Sequence, residues 1–109
     1  MIKFNKKILS RLAAINNPAV TQQLQEYATK IRDYILATDD NDEIFVQLDF
    51  LEQFVYRVPD VSLEIIKYIF NNPKPIKNIQ SPIGVYDGKS HSDIIEKCID
   101  LLSAIRYAV

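Results

Sequence analysis

The chain has 109 residues, 48% of them hydrophobic and 25% charged, with a formal net charge of −1. That is the composition of one globular domain, and it excludes a disordered chain, a collagen-like chain and a disulfide scaffold. It also argues against a strongly basic nucleic-acid domain. A single cysteine, Cys98, cannot form an internal disulfide and fits a reducing compartment. Two glycines are few for a Rossmann fold or a β-barrel. No apolar run approaches the roughly 18 residues of a membrane span, and the N-terminal lysines precede no signal-peptide core. A cytoplasmic protein away from membranes is expected.

Five helical segments and no strand are predicted. Segment A covers about residues 2–15, where Phe4, Ile8, Leu12 and Ile15 recur at helical spacing, and Asn16-Asn17 closes it because Asn tolerates the left-handed conformation. Segment B opens at Pro18 with Asn17 as N-cap. Its seam is Val20, Leu24, Tyr27, Ile31 and Tyr34, widened by Ala28 and Ile35. The acidic run Asp39-Asp40-Asn41-Asp42 ends B and supplies a cap for the next helix.

Segment C carries Ile44, Leu48, Leu51, Val55 and Val58 on one stripe, broadened by Phe45, Phe50 and Phe54. A stripe this wide predicts the most buried helix, touching two neighbours. Segment D follows the break at Pro59-Asp60 and runs from about Val61 to Phe70, capped by Asp60 or Ser62. So tight a connection predicts C and D as antiparallel neighbours.

Residues 71–89 hold Pro73, Pro75, Pro82, Gly84 and Gly88 and read as a long loop. Its apolar residues are too many for a free linker and are expected to dock on the helices or on a partner. Segment E starts at Ser90 with Asp93 three residues on, a capping-box pattern. Its seam is Ile94, Cys98, Leu101 and Ile105, with a second row of Ile95, Ile99 and Leu102.

A shift of fifty residues lays the seam of C on that of E, Ile44, Leu48, Leu51 and Val55 falling on Ile94, Cys98, Leu101 and Ile105. The match is read as a helix-pair repeat. The unit from Glu43 to Phe70 resembles a HEAT-like repeat: a wide apolar first helix, a tight turn, then Asp60-Val61-Ser62-Leu63-Glu64-Ile65-Ile66-Lys67, with Asp60 where such repeats often carry an Asp. The family's usual Val-Arg pair is replaced by Ile65-Ile66, and the intervening loop is longer than the family's usual one. The resemblance implies an all-α array of about five helices in antiparallel pairs, an α-solenoid; a closed helical bundle is the alternative. It also implies the scaffold or sensor regions that such arrays form in large prokaryotic signalling and defence proteins.

Chemistry is sparse. Gly84 to Ser90 ends in Gly-Lys-Ser but puts three residues between its glycines, where a phosphate loop needs four. His91 and Cys98 lie seven apart on a helix, about 10 Å of rise, too far for a nucleophile and its base. One His and one Cys give no metal-ligand spacing. No catalytic, cofactor or metal residue is expected.

Residues 1–32 carry six basic side chains against Glu26, and residues 33–65 carry nine acids against Arg57. Mutual attraction within the fold, basic A and B beside the acidic turn, is preferred to a nucleic-acid arm or a transit peptide. Lys3, Lys6, Lys7 and Arg11 form the candidate basic surface, without the interleaved aromatics that base stacking needs.

The expected function is interaction: a non-catalytic scaffold module within a larger protein or complex. A nucleic-acid-associated helical protein and a regulatory region of a longer chain are the alternatives. The candidate partner-binding residues are Ile95, Ile99 and Leu102 on E and Ile83 and Tyr86 in the loop, with self-association or a further chain meeting E.

Overall fold

The structure, a computed structural model, describes residues 5–76, 78–81 and 84–108. Among the described residues five α-helices form: α1 (Lys6–Ala13), α2 (Pro18–Ala37), α3 (Asn41–Glu52), α4 (Pro59–Asn71) and α5 (His91–Ala108). A 3₁₀ turn at Val55–Arg57 continues α3. The all-α class is as expected.

Local side chains set most of the helix starts. Asn5 accepts from the Ile8 amide at 2.8 Å, Asn17 from Ala19 at 2.8 Å and Asp40 from Asp42 at 3.0 Å. At α5 the capping box closes both ways: the Asp93 amide donates to the Ser90 hydroxyl at 3.2 Å, and the Ser90 amide to the Asp93 carboxylate at 2.9 Å. The start of α4 differs from expectation. Pro59 sits in its first turn with no side-chain cap, and the Ser62 hydroxyl donates back to the Val58 carbonyl at 2.7 Å.

The directions of the helices follow from the bonds between them. Arg32 meets Glu64 and the Leu36 carbonyl meets Tyr68, both 32 residues apart. Residue numbers that rise together mean parallel helices, so α2 and α4 run the same way. Asn41 meets the Lys89 carbonyl and Asp49 meets Lys97, both 48 apart, so α3 and α5 are parallel too. Tyr56 reaches the Ala13 carbonyl 43 residues away and Lys6 reaches Asp49 at the same offset, which adds α1 to that row. Between rows the numbers run oppositely: Tyr34 bonds Glu43, and the Tyr27 ring lies 5.8 Å from Phe54. The chain therefore alternates between two rows, α1, α3 and α5 in one and α2 and α4 in the other.

This corrects the expected pairing of C with D. The main packing partners of α3 are α5 and α2, and those of α4 are α2 and α5. The cause is the length of the segment between α4 and α5, which gives α5 reach to lie along α3. The fifty-residue echo thus falls on two helices packed side by side. Ile44, Leu48 and Leu51 of one and Ile94, Cys98 and Leu101 of the other are all at most 2% exposed.

Three further expectations change. Segment C is not one helix: α3 ends at Glu52, and Phe54 leaves helical geometry at φ −141° to pack on Tyr27. Phe54, Val55 and Val58 stay buried all the same. Segment A rolls over: Leu9 and Ala13 are its buried residues, while Ile8 and Ile15 are 44% and 45% exposed. The Lys6–Asp49 ion pair and the bonds from Tyr56 and Arg57 to the Ala13 carbonyl fix that roll. It ends through Ala14 at φ −80°, a right-handed residue, and Asn17 is extended. In the supposed loop, Asn78–Ser81 and Gly84–Asp87 pair as an antiparallel ribbon, Ile79 opposite Tyr86 and Gln80 opposite Val85. Pro73 and Pro75 fall before the first strand, where no ladder bond is lost, and Pro82 is outside the described residues.

Acid should loosen this structure in a defined window. The Ser90 amide and hydroxyl hold the Asp93 carboxyl below its ordinary range. Burial pushes Asp49 up, but its bonds with Lys6 and Lys97 outweigh that and leave it lowered. Depressed carboxylates stabilise the fold above the unfolded value of about 4 and lose that contribution as pH falls through the folded value. The melting temperature is expected to drop as pH is lowered below about 4, and the drop should be shallower in Asp93→Ala and Asp49→Ala. An acid profile identical in the variants would contradict these assignments.

Candidate interaction site

Of the exposed apolar side chains, Ile99, Leu63 and Phe70 lie on α5 and α4, the last helices of the two rows, while Tyr34, Leu36 and Val46 stand on α2 and α3. On α5 the residues facing α3 are known from their bonds: Lys97 donates to Asp49 at 2.9 Å and to Glu52 at 3.0 Å. Helical geometry turns about 100° per residue, so Ile95, Ile99 and Leu102 lie on the side away from α3. Ile99 is 52% exposed, and Ile95 and Leu102 are half-buried against the core edge. On α4, Glu64 and Tyr68 face α2. Leu63 and Phe70 turn the other way, and each is 46% exposed. Both rows therefore end on an apolar face, and the two faces belong to neighbouring helices. The candidate residues of segment E are there; Leu63 and Phe70 of α4 are additions.

The candidate loop residues fare differently. Tyr86 lies in the second strand, in register with Ile79, and Ile83 is outside the described residues. The loop is held at both feet by one buried side chain. The Asn41 amide nitrogen donates to the carbonyls of Lys74 at 3.1 Å, Pro75 at 3.4 Å and Lys89 at 3.0 Å. Asp42 accepts from the Lys89 amide at 2.7 Å. The Lys89 ammonium stands 4.4 Å over the Phe45 ring, and Lys74 reaches the Tyr68 hydroxyl at 3.2 Å. Sequence reading took Asn41 for part of a capping run, because its long-range partners are backbone carbonyls that leave no mark in residue identity.

These contacts also account for the Gly-Lys-Ser run. Gly84–Asp87 is strand, Lys89 is tied to Asn41, Asp42 and Phe45, and Ser90 caps α5. A hollow of 280 Å³ beside it is lined by Phe45, Lys89, Asp93, Glu96, Lys97 and Asp100, three acids with two lysines. Cys98 is fully buried, and burial pushes its thiol up to about 12, so it stays protonated and packs as a small apolar group. Among the described residues no group of three or more His, Cys, Asp or Glu side chains is placed to hold a metal ion.

Of the basic surface, Lys3 is outside the described residues and Lys6 pairs with Asp49. Lys7 and Arg11 are exposed, one helical turn apart on α1. The attraction between the basic and acidic blocks joins neighbouring helices within each row: Lys6 of α1 to Asp49 of α3, and Arg32 of α2 to Glu64 of α4 at 3.3 Å.

Compared with known proteins, the chain matches no protein-family model, no curated protein and no solved structure. Among the described residues no helix is long and apolar enough to cross a membrane.

Proposed function

We propose that this chain is a non-catalytic, cytoplasmic interaction module, a short HEAT-like helical array that meets other protein through the open end of its two rows. The observation that carries the reading is the pairing of the ends. Ile99 on α5 and Leu63 and Phe70 on α4 stand about half exposed, on the sides turned away from the preceding helix of each row. Apolar faces grouped in this way mark interfaces more often than single exposed residues do. Alternation of direction between two rows is also what lets such an array be extended by a further helix without disturbing those already packed.

The nucleic-acid reading has less support. Lys6 is engaged with Asp49, which leaves Lys7 and Arg11 as the described basic pair of α1.

Sedimentation velocity tests the reading. The wild-type chain is expected to associate as its concentration rises. Ile99→Lys with Leu102→Glu should abolish that association while far-UV circular dichroism and the melting transition keep their wild-type form. Association that survives the double substitution, or a wild-type chain that stays monomeric at millimolar concentration, would contradict it.

A further inference from the structure

We infer that the occupant of the α5 edge is a second copy of this chain, stacked head to tail, with its α1 continuing the row after α5. This rests on the interaction-module reading above and adds the partner's identity.

The first argument is that the array has a second open edge of matching form. Lys6 faces α3 through Asp49, so the opposite side of α1 carries Ile8 and Leu12, with Ile15 just past its end. Ile8 and Ile15 are 44% and 45% exposed, and Leu12 is half-buried. Ile8, Leu12 and Ile15 have the spacing of Ile95, Ile99 and Leu102. The seam read in segment A does exist, but it faces away from the core.

The second argument is charge. Each stripe is flanked, on the outer surface of the row, by two exposed charged residues four positions apart. On α1 they are Lys7 and Arg11, and on α5 they are Glu96 and Asp100. Four residues are about 6 Å of helix, so the two pairs have the same pitch with opposite sign. None of the four is ion-paired among the described residues.

Handedness decides the orientation. Looking from the buried side, the acidic pair of α5 lies beyond its stripe in one rotational sense, and the basic pair of α1 lies beyond its own in the other. Two parallel helices laid stripe to stripe then bring both pairs to the same surface, cation beside carboxylate. Parallel is also the direction that α1, α3 and α5 already share. A two-fold pairing of α5 with itself would instead set Glu96 and Asp100 against their own copies, a like-charge contact that costs affinity. Because the contact joins two different surfaces, it leaves a free edge at each end, and growth does not stop at the dimer.

Charge-swap variants followed by sedimentation velocity test this. Wild type is expected to form dimers and larger species with rising concentration, weakening as salt is added. Lys7→Glu with Arg11→Glu, and separately Glu96→Lys with Asp100→Lys, should each weaken association at least about tenfold. Mixing the two variants should restore it, and so should placing all four substitutions in one chain. If Ile99→Lys with Leu102→Glu blocks association but the α1 reversal does not, the occupant is not α1 and the proposal falls while the interaction reading stands. Association that stops at a dimer and ignores both reversals points to α5 pairing with itself and has the same consequence. If neither edge substitution matters, both fall.

Discussion

Leu51→Ala is expected to destabilise the chain by about 2–5 kcal/mol, the range for large core truncations. Leu51 is fully buried, in the last turn of α3, between Leu48 and Phe54, which are equally inaccessible. Its position is more demanding than that of an ordinary core leucine. The helix stops one residue later, and the 3₁₀ turn that follows carries Arg57, whose guanidinium donates to the Ile15 carbonyl at 2.9 Å and also reaches Ala13 and Thr21. Leu51 shares one buried cluster with Leu9 and Ala13 of α1 and with Phe54 and Val55, so collapse into a cavity there would disturb the turn that carries those bonds. Chemical denaturation gives the number. A loss below about 1 kcal/mol would mean that the site collapses freely and that α3 is not the pivot of the core.

The second large effect belongs to a polar residue. Asn41→Ala should cost about 1–3 kcal/mol, the range for stranding buried hydrogen-bonding groups. The loss is that of a side chain 3% exposed whose amide donates to three carbonyls. Those carbonyls sit at the two feet of residues 74–89, so the change should also raise hydrogen exchange in the strands Asn78–Ser81 and Gly84–Asp87. Asn41→Asp is the sharper probe. It keeps the shape but turns a donor into an anion facing carbonyl oxygens, and should be at least as damaging. Wild-type protection of the strands in both variants would show that the ribbon is held by something else.

These two residues also mark how far the sequence could be read. Leu51 was legible, because helical periodicity and size are local properties of a chain, and so were the caps at Asn17, Asp40 and Ser90. The role of Asn41 was not, because its partners lie 33 to 48 residues away and are backbone atoms. Segment A failed for a related reason. Ile8, Leu12 and Ile15 form a regular stripe, and periodicity reports that a stripe exists without saying which neighbour covers it. Only the Lys6–Asp49 pair and the Arg57 bonds show that Leu9 and Ala13 face inward. The ribbon was hidden by its prolines, which argue against a central strand but not against two short strands with the prolines outside the ladder. Pairing of α3 with α5 was half visible. The fifty-residue echo was there, but the short Pro59-Asp60 break pointed to α4 as the neighbour.

The central claim is that the far edge of α5 is a contact surface, and isoleucine methyl spectra recorded along a dilution series test it most directly. The chain carries isoleucines both in the core and on the edges. Ile44, Ile65 and Ile94 are at most 2% exposed, whereas Ile8, Ile15 and Ile99 are between 44% and 52% exposed. Between micromolar and millimolar concentration the Ile99 methyl resonance should shift or broaden, with Ile8 and Ile15 following it if α1 is the occupant, while Ile44, Ile65 and Ile94 stay in place. An Ile99 resonance that neither moves nor broadens over that range would contradict the account.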